Sequence, residues 1–189
     1  AFAQLHNLKV GTIADLIAYR RRPERLIEHI VEAPFESYYG RDFRIHVYRN
    51  TVDGGEHVAL ARGHIHPDVE TLVRVHQVDL TADMLGWTAA RQDYVAEALR
   101  AHAEFDGPAV GVFVRDPNPS SISDRVWGGR RDYHLQHGYR DYGIGAQILQ
   151  DLGVGKMRLM TASTAKLSAL QGFGLTITSR VSVAGRDVE

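Results

Sequence analysis

Apolar and polar residues alternate with a period of two in Phe43-Arg44-Ile45-His46-Val47-Tyr48, and again in Thr71-Leu72-Val73-Arg74-Val75-His76. Side chains on a strand point alternately to its two faces, so both runs predict half-buried strands. A third strand is expected at His57-Val58-Ala59-Leu60-Ala61-Arg62, entered through a hairpin turn at Asp53-Gly54-Gly55 and separated from the next strand by Pro67. Upstream, Gly11 to Arg20 reads as a short helix with Thr12 as N-cap and Asp15 at the capping-box position, interrupted at Pro23. The spacing of Leu26, Ile27 and Ile30 predicts a second helical turn ending near Pro34.

From about Ala90 the apolar spacing becomes helical, with Val95, Leu99 and His102 on one face and Gly107-Pro108 closing the segment. Ala109 to Val114 then reads as a short buried strand. Arg115 to Gly129 contains Asp-Pro-Asn-Pro and Ser-Ser-Ile-Ser, lacks either periodicity, and is expected to be a long, mobile loop. Beyond it a helix is expected from about Asp141 to Leu152, a strand from Met157 to Thr161, a helix from about Ser163 to Gln171, and a strand from Leu175 to Val181. A strand-rich N-terminal half followed by alternating helix and strand predicts a mixed α/β (α+β) fold.

Composition narrows the classes. The 189 residues can bury a sizeable core unaided. The absence of cysteine excludes thiolate catalysis, disulfides and sulfur-based zinc sites, and with it a cytoplasmic protein is expected. A net charge of -1 speaks against a nucleic-acid binder. No run approaches the roughly 20 apolar residues of a membrane span, and the N-terminus lacks the basic-then-apolar layout of a signal peptide.

Three segments carry candidate chemistry. His64-x-His66 offers two imidazoles but no third ligand nearby in sequence, and reads as a pair of exposed loop histidines. Leu152-Gly153-Val154-Gly155-Lys156 superficially resembles a phosphate loop, yet it follows a helix and precedes a strand, as a helix C-cap does. Thr161-Ala162-Ser163-Thr164-Ala165-Lys166 follows a strand and opens a helix, so hydroxyls, amides and a lysine could converge on an anion; N-capping explains the same residues equally well.

The run Arg140-Asp141-Tyr142-Gly143-Ile144-Gly145-Ala146-Gln147-Ile148-Leu149, followed by Met157-Arg158-Leu159-Met160-Thr161, closely resembles GTP cyclohydrolase II. The resemblance extends back through Val73-Arg74-Val75-His76 and His57-Val58-Ala59-Leu60, and forward to Lys166 and Gly174-Leu175, covering about Pro34 to Val183. Lys9 to Arg20 is similar to the end of 3,4-dihydroxy-2-butanone 4-phosphate synthase, which precedes the cyclohydrolase in bifunctional riboflavin proteins. The resemblance therefore implies residues 1–33 as the tail of a synthase domain with its linker, and residues 34–189 as a cyclohydrolase-like domain.

The departures from the family pattern are equally informative. Three cysteines that hold the family's catalytic zinc are missing: Asp79 stands for the first, and the other two positions fall among Ala89, Ala90, Arg91 and Gln92. Arg115-Asp116-Pro117-Asn118-Pro119 replaces a glycine-rich segment associated with nucleotide recognition, and Gly138 replaces an Asp taken as general base. What the resemblance retains is a partial anion-binding set, Arg74, Arg140, Thr161 and Lys166, with Arg140 the one residual catalytic candidate. Ion pairing at a subunit or domain contact is the competing reading of Arg74 and Arg140.

These features imply a catalytically inactive cyclohydrolase-like domain without metal or cofactor, acting as a structural or regulatory partner of the fused synthase. A homodimer is expected, with a phosphate or nucleotide as possible ligand. The alternatives are a metal-independent enzyme using His76, Asp79, Asp83 and Arg140 on a nucleotide or riboflavin precursor, and a phosphate-ligand sensor.

Overall fold

The computed structural model describes residue 6 and residues 25–87, 93–128, 143–161 and 173–182. Among the described residues seven strands form one mixed sheet in the order β1-β2-β3-β5-β4-β6-β7. They are β1 (Ile27–Ser37), β2 (Gly40–Asn50), β3 (Glu56–Arg62), β4 (Glu70–Gln77), β5 (Ala109–Val114), β6 (Lys156–Met160) and β7 (Thr176–Val181). Helices α1 (Leu80–Asp83), α2 (Tyr94–Glu104) and α3 (Ser121–Gly128) are joined by α4, helical over residues 143–151. The mixed α/β architecture agrees with the sequence pattern.

β1, β2, β3 and β5 pair antiparallel, whereas β4 pairs parallel with both β5 and β6, and β6 with β7. Parallel neighbours need a crossover, and α2 supplies it between β4 and β5. Of the predicted face, Leu99 and His102 are buried and Val95 is partly buried, with Ala98 buried beside them. α2 packs on Phe43, Leu60 and Leu72, while Ile144, Ala146, Ile148 and Leu149 of α4 cover the other face through Tyr48, Val73, Val110 and Val112. Buried from both sides, β5 reads as the continuous apolar run Ala-Val-Gly-Val-Phe-Val.

Two glycines explain local sequence. Gly54, at φ 71, closes the β2–β3 hairpin expected at Asp53-Gly54-Gly55, its amide bonding the Asn50 carbonyl at 2.9 Å. A Cβ at Gly145 would lie 2.9 Å from Val75 Cγ1, so this glycine of the family-like run lets α4 approach β4 closely. The C-cap reading of the 152–156 segment holds: Gly153 has φ 85, and its amide and that of Val154 bond the carbonyls of Gln150 and Leu149.

Two expectations fail. The turn read as helical at Leu26, Ile27 and Ile30 belongs to strand β1 and its approach. β1 is an edge strand, mostly exposed, with a register shift between His29 and Val31, so no clean alternation survives in its sequence. Its edge position also accommodates Pro34. The second failure is the long loop, because Ser121–Gly128 is helix α3. Asp116 and Asn118 accept the amides of Asn118 and Ser120 in successive turns that lead into it. Ile122, Val126 and Trp127 of α3 are exposed, so the helix shows no buried apolar stripe to read. The helices expected at Gly11–Arg20 and Ser163–Gln171, with residues 141 and 142, lie outside the described residues.

His102 is fully buried on α2, with neither ring nitrogen hydrogen-bonded among the described residues. Burial, reinforced by the nearby Arg74 charge, pushes its pKa down from 6.5 to about 4. The unfolded chain then binds this proton more readily than the folded one, so stability falls as pH drops from 6.5 toward 4. Between pH 7.5 and pH 5 this group alone should cost about 2 kcal/mol. Urea unfolding at the two pH values should show the native protein losing about that much more stability than His102→Leu, which has no proton to gain.

Candidate functional site

Two of the residues singled out in sequence, Arg74 and Thr161, lie near the end of β6. Arg74 and His76 lie two apart on β4 and share the face that meets α2. Arg74 Nη1 donates to the Met160 carbonyl at 2.7 Å, and its guanidinium sits 4.5 Å above the Tyr94 ring. These contacts bring Arg74 to the end of β6, beside Thr161, which is buried and whose amide bonds the Val181 carbonyl at 2.9 Å. Arg74, in the middle of β4, thus reaches the C-terminal end of β6, where Thr161 follows the strand. Arg140 and Lys166 lie outside the described residues, as does Gly138.

His76 and Asp83 form a close pair, Nε2 to Oδ2 at 2.8 Å, and both are largely buried. The same carboxylate oxygen accepts the Asp79 amide at 2.8 Å. The short helix α1 thereby presents Asp83 to β4 while Asp79 caps its start.

Both carboxylate oxygens of Asp79 are engaged. Its Oδ1 accepts the Thr81 hydroxyl at 2.6 Å and the amides of Thr81 and Ala82 at 3.0 and 3.2 Å. Its Oδ2 receives Arg125 Nε at 2.6 Å, in a pair whose side chains are 15% and 6% exposed. Burial on its own would raise this carboxyl, but the bonds from Thr81, Arg125 and Ala82 outweigh it and hold the pKa below the usual carboxylate value. Arg125 also lies 5.1 Å above the Trp87 ring. Sequence reasoning missed Arg125, and 46 residues separate it from Asp79 with no local pattern to link them.

This geometry tests the family's zinc against the residues present. Asp79 engages one oxygen in the α1 cap and the other with Arg125, so turning it to a metal would compete with its buried ion pair. Ala89, Ala90, Arg91 and Gln92, where the other two cysteines would fall, supply no ligand that could complete a site. The residues do not fit the metal.

His64 and His66 are exposed in the turn after β3, and His66 Nδ1 accepts the Asp68 amide at 3.3 Å. Their reading as loop histidines stands. The described residues do contain one group of three potential metal ligands that sequence reasoning missed, His29, Glu32 and His46.

The GTP cyclohydrolase II family model matches residues 28–182. The chain belongs to the GTP cyclohydrolase II family. Among its relatives, the riboflavin biosynthesis protein RibBA of Aquifex aeolicus is 40% identical, over 96% of this chain and 48% of that protein. The monofunctional riboflavin biosynthesis protein RIBA 2, chloroplastic, of Arabidopsis thaliana is 39% identical, over 95% of this chain and 39% of that one. A solved structure of RibBX, a two-domain 3,4-dihydroxy-2-butanone 4-phosphate synthase from A. baumannii, is similar with a TM-score of 0.62 and 31% identity. It matches 96% of this chain and 48% of its own. This cyclohydrolase-family chain thus spans about half or less of the length of these relatives. Among the described residues no helix is long and apolar enough to cross a membrane.

Proposed function

We propose that this chain is a GTP cyclohydrolase II-family domain that has lost cyclohydrolase chemistry and serves riboflavin biosynthesis as the structural or regulatory partner of a 3,4-dihydroxy-2-butanone 4-phosphate synthase. The observation that carries this reading is the state of Asp79. At the position of the family's first zinc cysteine stands a carboxylate whose two oxygens cap α1 and pair with Arg125. A metal-ligand position has become a structural cross-link between α1 and α3. The two-domain synthase among the similar structures supports the choice of partner.

A residual anion site would be formed by Arg74, Thr161, Arg140 and Lys166, and the approach of Arg74 to the end of β6 supports the first two. Recognition of a guanine base needs specific polar partners and close approach, which the proline-bearing segment after β5 does not retain. Phosphate, pyrophosphate and several nucleotides should therefore compete with similar weak, salt-sensitive affinity. Low-salt calorimetry on the native protein and Lys166→Ala checks this; guanine-selective binding refutes it, and unchanged binding in the variant removes Lys166 from the site. We also expect a homodimer, the commonest symmetric assembly, which a monomeric mass by light scattering would overturn.

A second reading, a metal-independent enzyme, draws on the His76–Asp83 pair, whose 2.8 Å contact is the arrangement of an imidazole oriented by a carboxylate. Two assays on the full-length protein decide between the readings. Synthase turnover should change when this domain is deleted, and formate release from GTP should be absent. Unchanged synthase turnover refutes the partner role, and formate release that persists after chelation and repurification supports the second reading.

A further inference from the structure

We propose that His29, Glu32 and His46 form a binding site for a zinc-class divalent metal ion on the β1–β2 hairpin. One ligand atom from each lies within 4.8 Å of the other two. His46 Nδ1 stands at the centre, 3.4 Å from His29 Nε2 and 3.5 Å from Glu32 Oε2. Tetrahedral ligands at zinc–nitrogen and zinc–oxygen distances are themselves about 3.3–3.5 Å apart, so these separations already match two edges of such a site. Two imidazoles and one carboxylate are a recurrent zinc set, and they leave a position open to water or a further ligand.

A backbone irregularity builds the cluster. Residues three apart on a regular strand face opposite sides of a sheet, which would separate His29 from Glu32. Here His29 pairs with Tyr48 and Glu32 with His46, because the register shifts between His29 and Val31. The extra residue, Ile30, brings both side chains to the face that holds His46 and Tyr48. That face is the one covered by α4, on the opposite side of the sheet from Arg74 and His76.

The surroundings orient each ligand. The His29 ring stacks on Tyr48, centroids 4.7 Å apart, and the Tyr48 hydroxyl is anchored on Asp151 at 3.0 Å. Arg44 binds Glu32 Oε1 at 2.8 Å and leaves Oε2 turned to His46. Such second contacts fix ligand geometry in metal sites. His46 is 7% exposed, whereas His29 and Glu32 are open to solvent and give an ion its entry path. The expectation of a metal-free chain rested on the missing cysteines, and this cluster involves none of those positions.

The test is zinc titration of the full chain, without affinity tag and after chelation, by calorimetry, with cobalt as a spectroscopic substitute. One equivalent should bind, and cobalt should give the intense visible bands of four-coordination. His29→Ala and Glu32→Gln, both exposed changes, should each weaken zinc binding by at least about tenfold with an unchanged circular dichroism spectrum. The double variant His64→Ala/His66→Ala should bind as the native protein does. Absence of saturable zinc uptake, or uptake that neither His29→Ala nor Glu32→Gln weakens, overturns the proposal.

Discussion

Supplied with GTP and zinc, the full-length protein is expected to release formate and pyrophosphate at least about a thousandfold more slowly than a cysteine-bearing family member. Opening the imidazole ring of GTP by hydrolysis at neutral pH calls for an activated water, and metal coordination lowers the pKa of water from about 15.7 toward 7. Losing only about 4 kcal/mol of transition-state stabilisation already removes three orders of magnitude. Added zinc cannot restore it where Asp79 is bonded through both oxygens and Ala89 and Ala90 offer no ligand. Zinc taken up at His29, Glu32 and His46 would lie on the other face of the sheet from His76. A coupled formate assay checks the expectation. Zinc-dependent turnover would refute the loss of cyclohydrolase chemistry, and chelator-resistant turnover would favour the His76–Asp83 enzyme.

Replacing Asp79 by Ala should destabilise the protein by about 3–5 kcal/mol, because it leaves the buried Arg125 guanidinium without its carboxylate. Loss of the N-cap contributes to the same deficit, typically by about 1 kcal/mol. For a chain of this size the change corresponds to a fall in Tm of roughly 10 °C. Asp79→Asn separates the two contributions, since an amide oxygen still caps α1 while the ion pair is gone. The pH dependence has a definite sign. The folded pKa of Asp79 is below its ordinary 3.8, so its contribution is complete above that value and is lost as pH falls through the lower folded one. The Asp79→Ala variant should therefore lose less further stability than the native protein below pH 3.8. In a cycle with Arg125→Ala, the double variant should be less destabilised than the sum of the single ones; strict additivity would show that the pair contributes no coupling.

Strands β2, β3, β4 and β5, helix α2 and the 143–151 helix were legible in the sequence because each buries a face, and burial writes the periodicity of the element into its residues. The order of the sheet was not legible, since β4 finds its place between β5 and β6 by pairing rather than by local pattern. Arg74 and Thr161 were named from sequence, but their meeting depends on the hydrogen bond from Arg74 to Met160, 86 residues away. Strand β1 escaped because an exposed edge strand with a register shift has no uninterrupted alternation, and Ile27 and Ile30 imitate a helical spacing. Helix α3 escaped because it leaves its apolar side chains exposed and is tied to the domain through Arg125. The sequence by itself thus determined the family, the mixed α/β class and the absence of the family's cysteine ligands, all of which are local or compositional facts. Only the tertiary structure decided that Asp79 spends both oxygens on a cap and an arginine, and that His29, Glu32 and His46 share one face. The Asp79–Arg125 pair and the His29, Glu32 and His46 cluster depend on pairing and register between distant segments, which leave no local pattern, whereas the cap that Asp79 provides is local to Thr81 and Ala82.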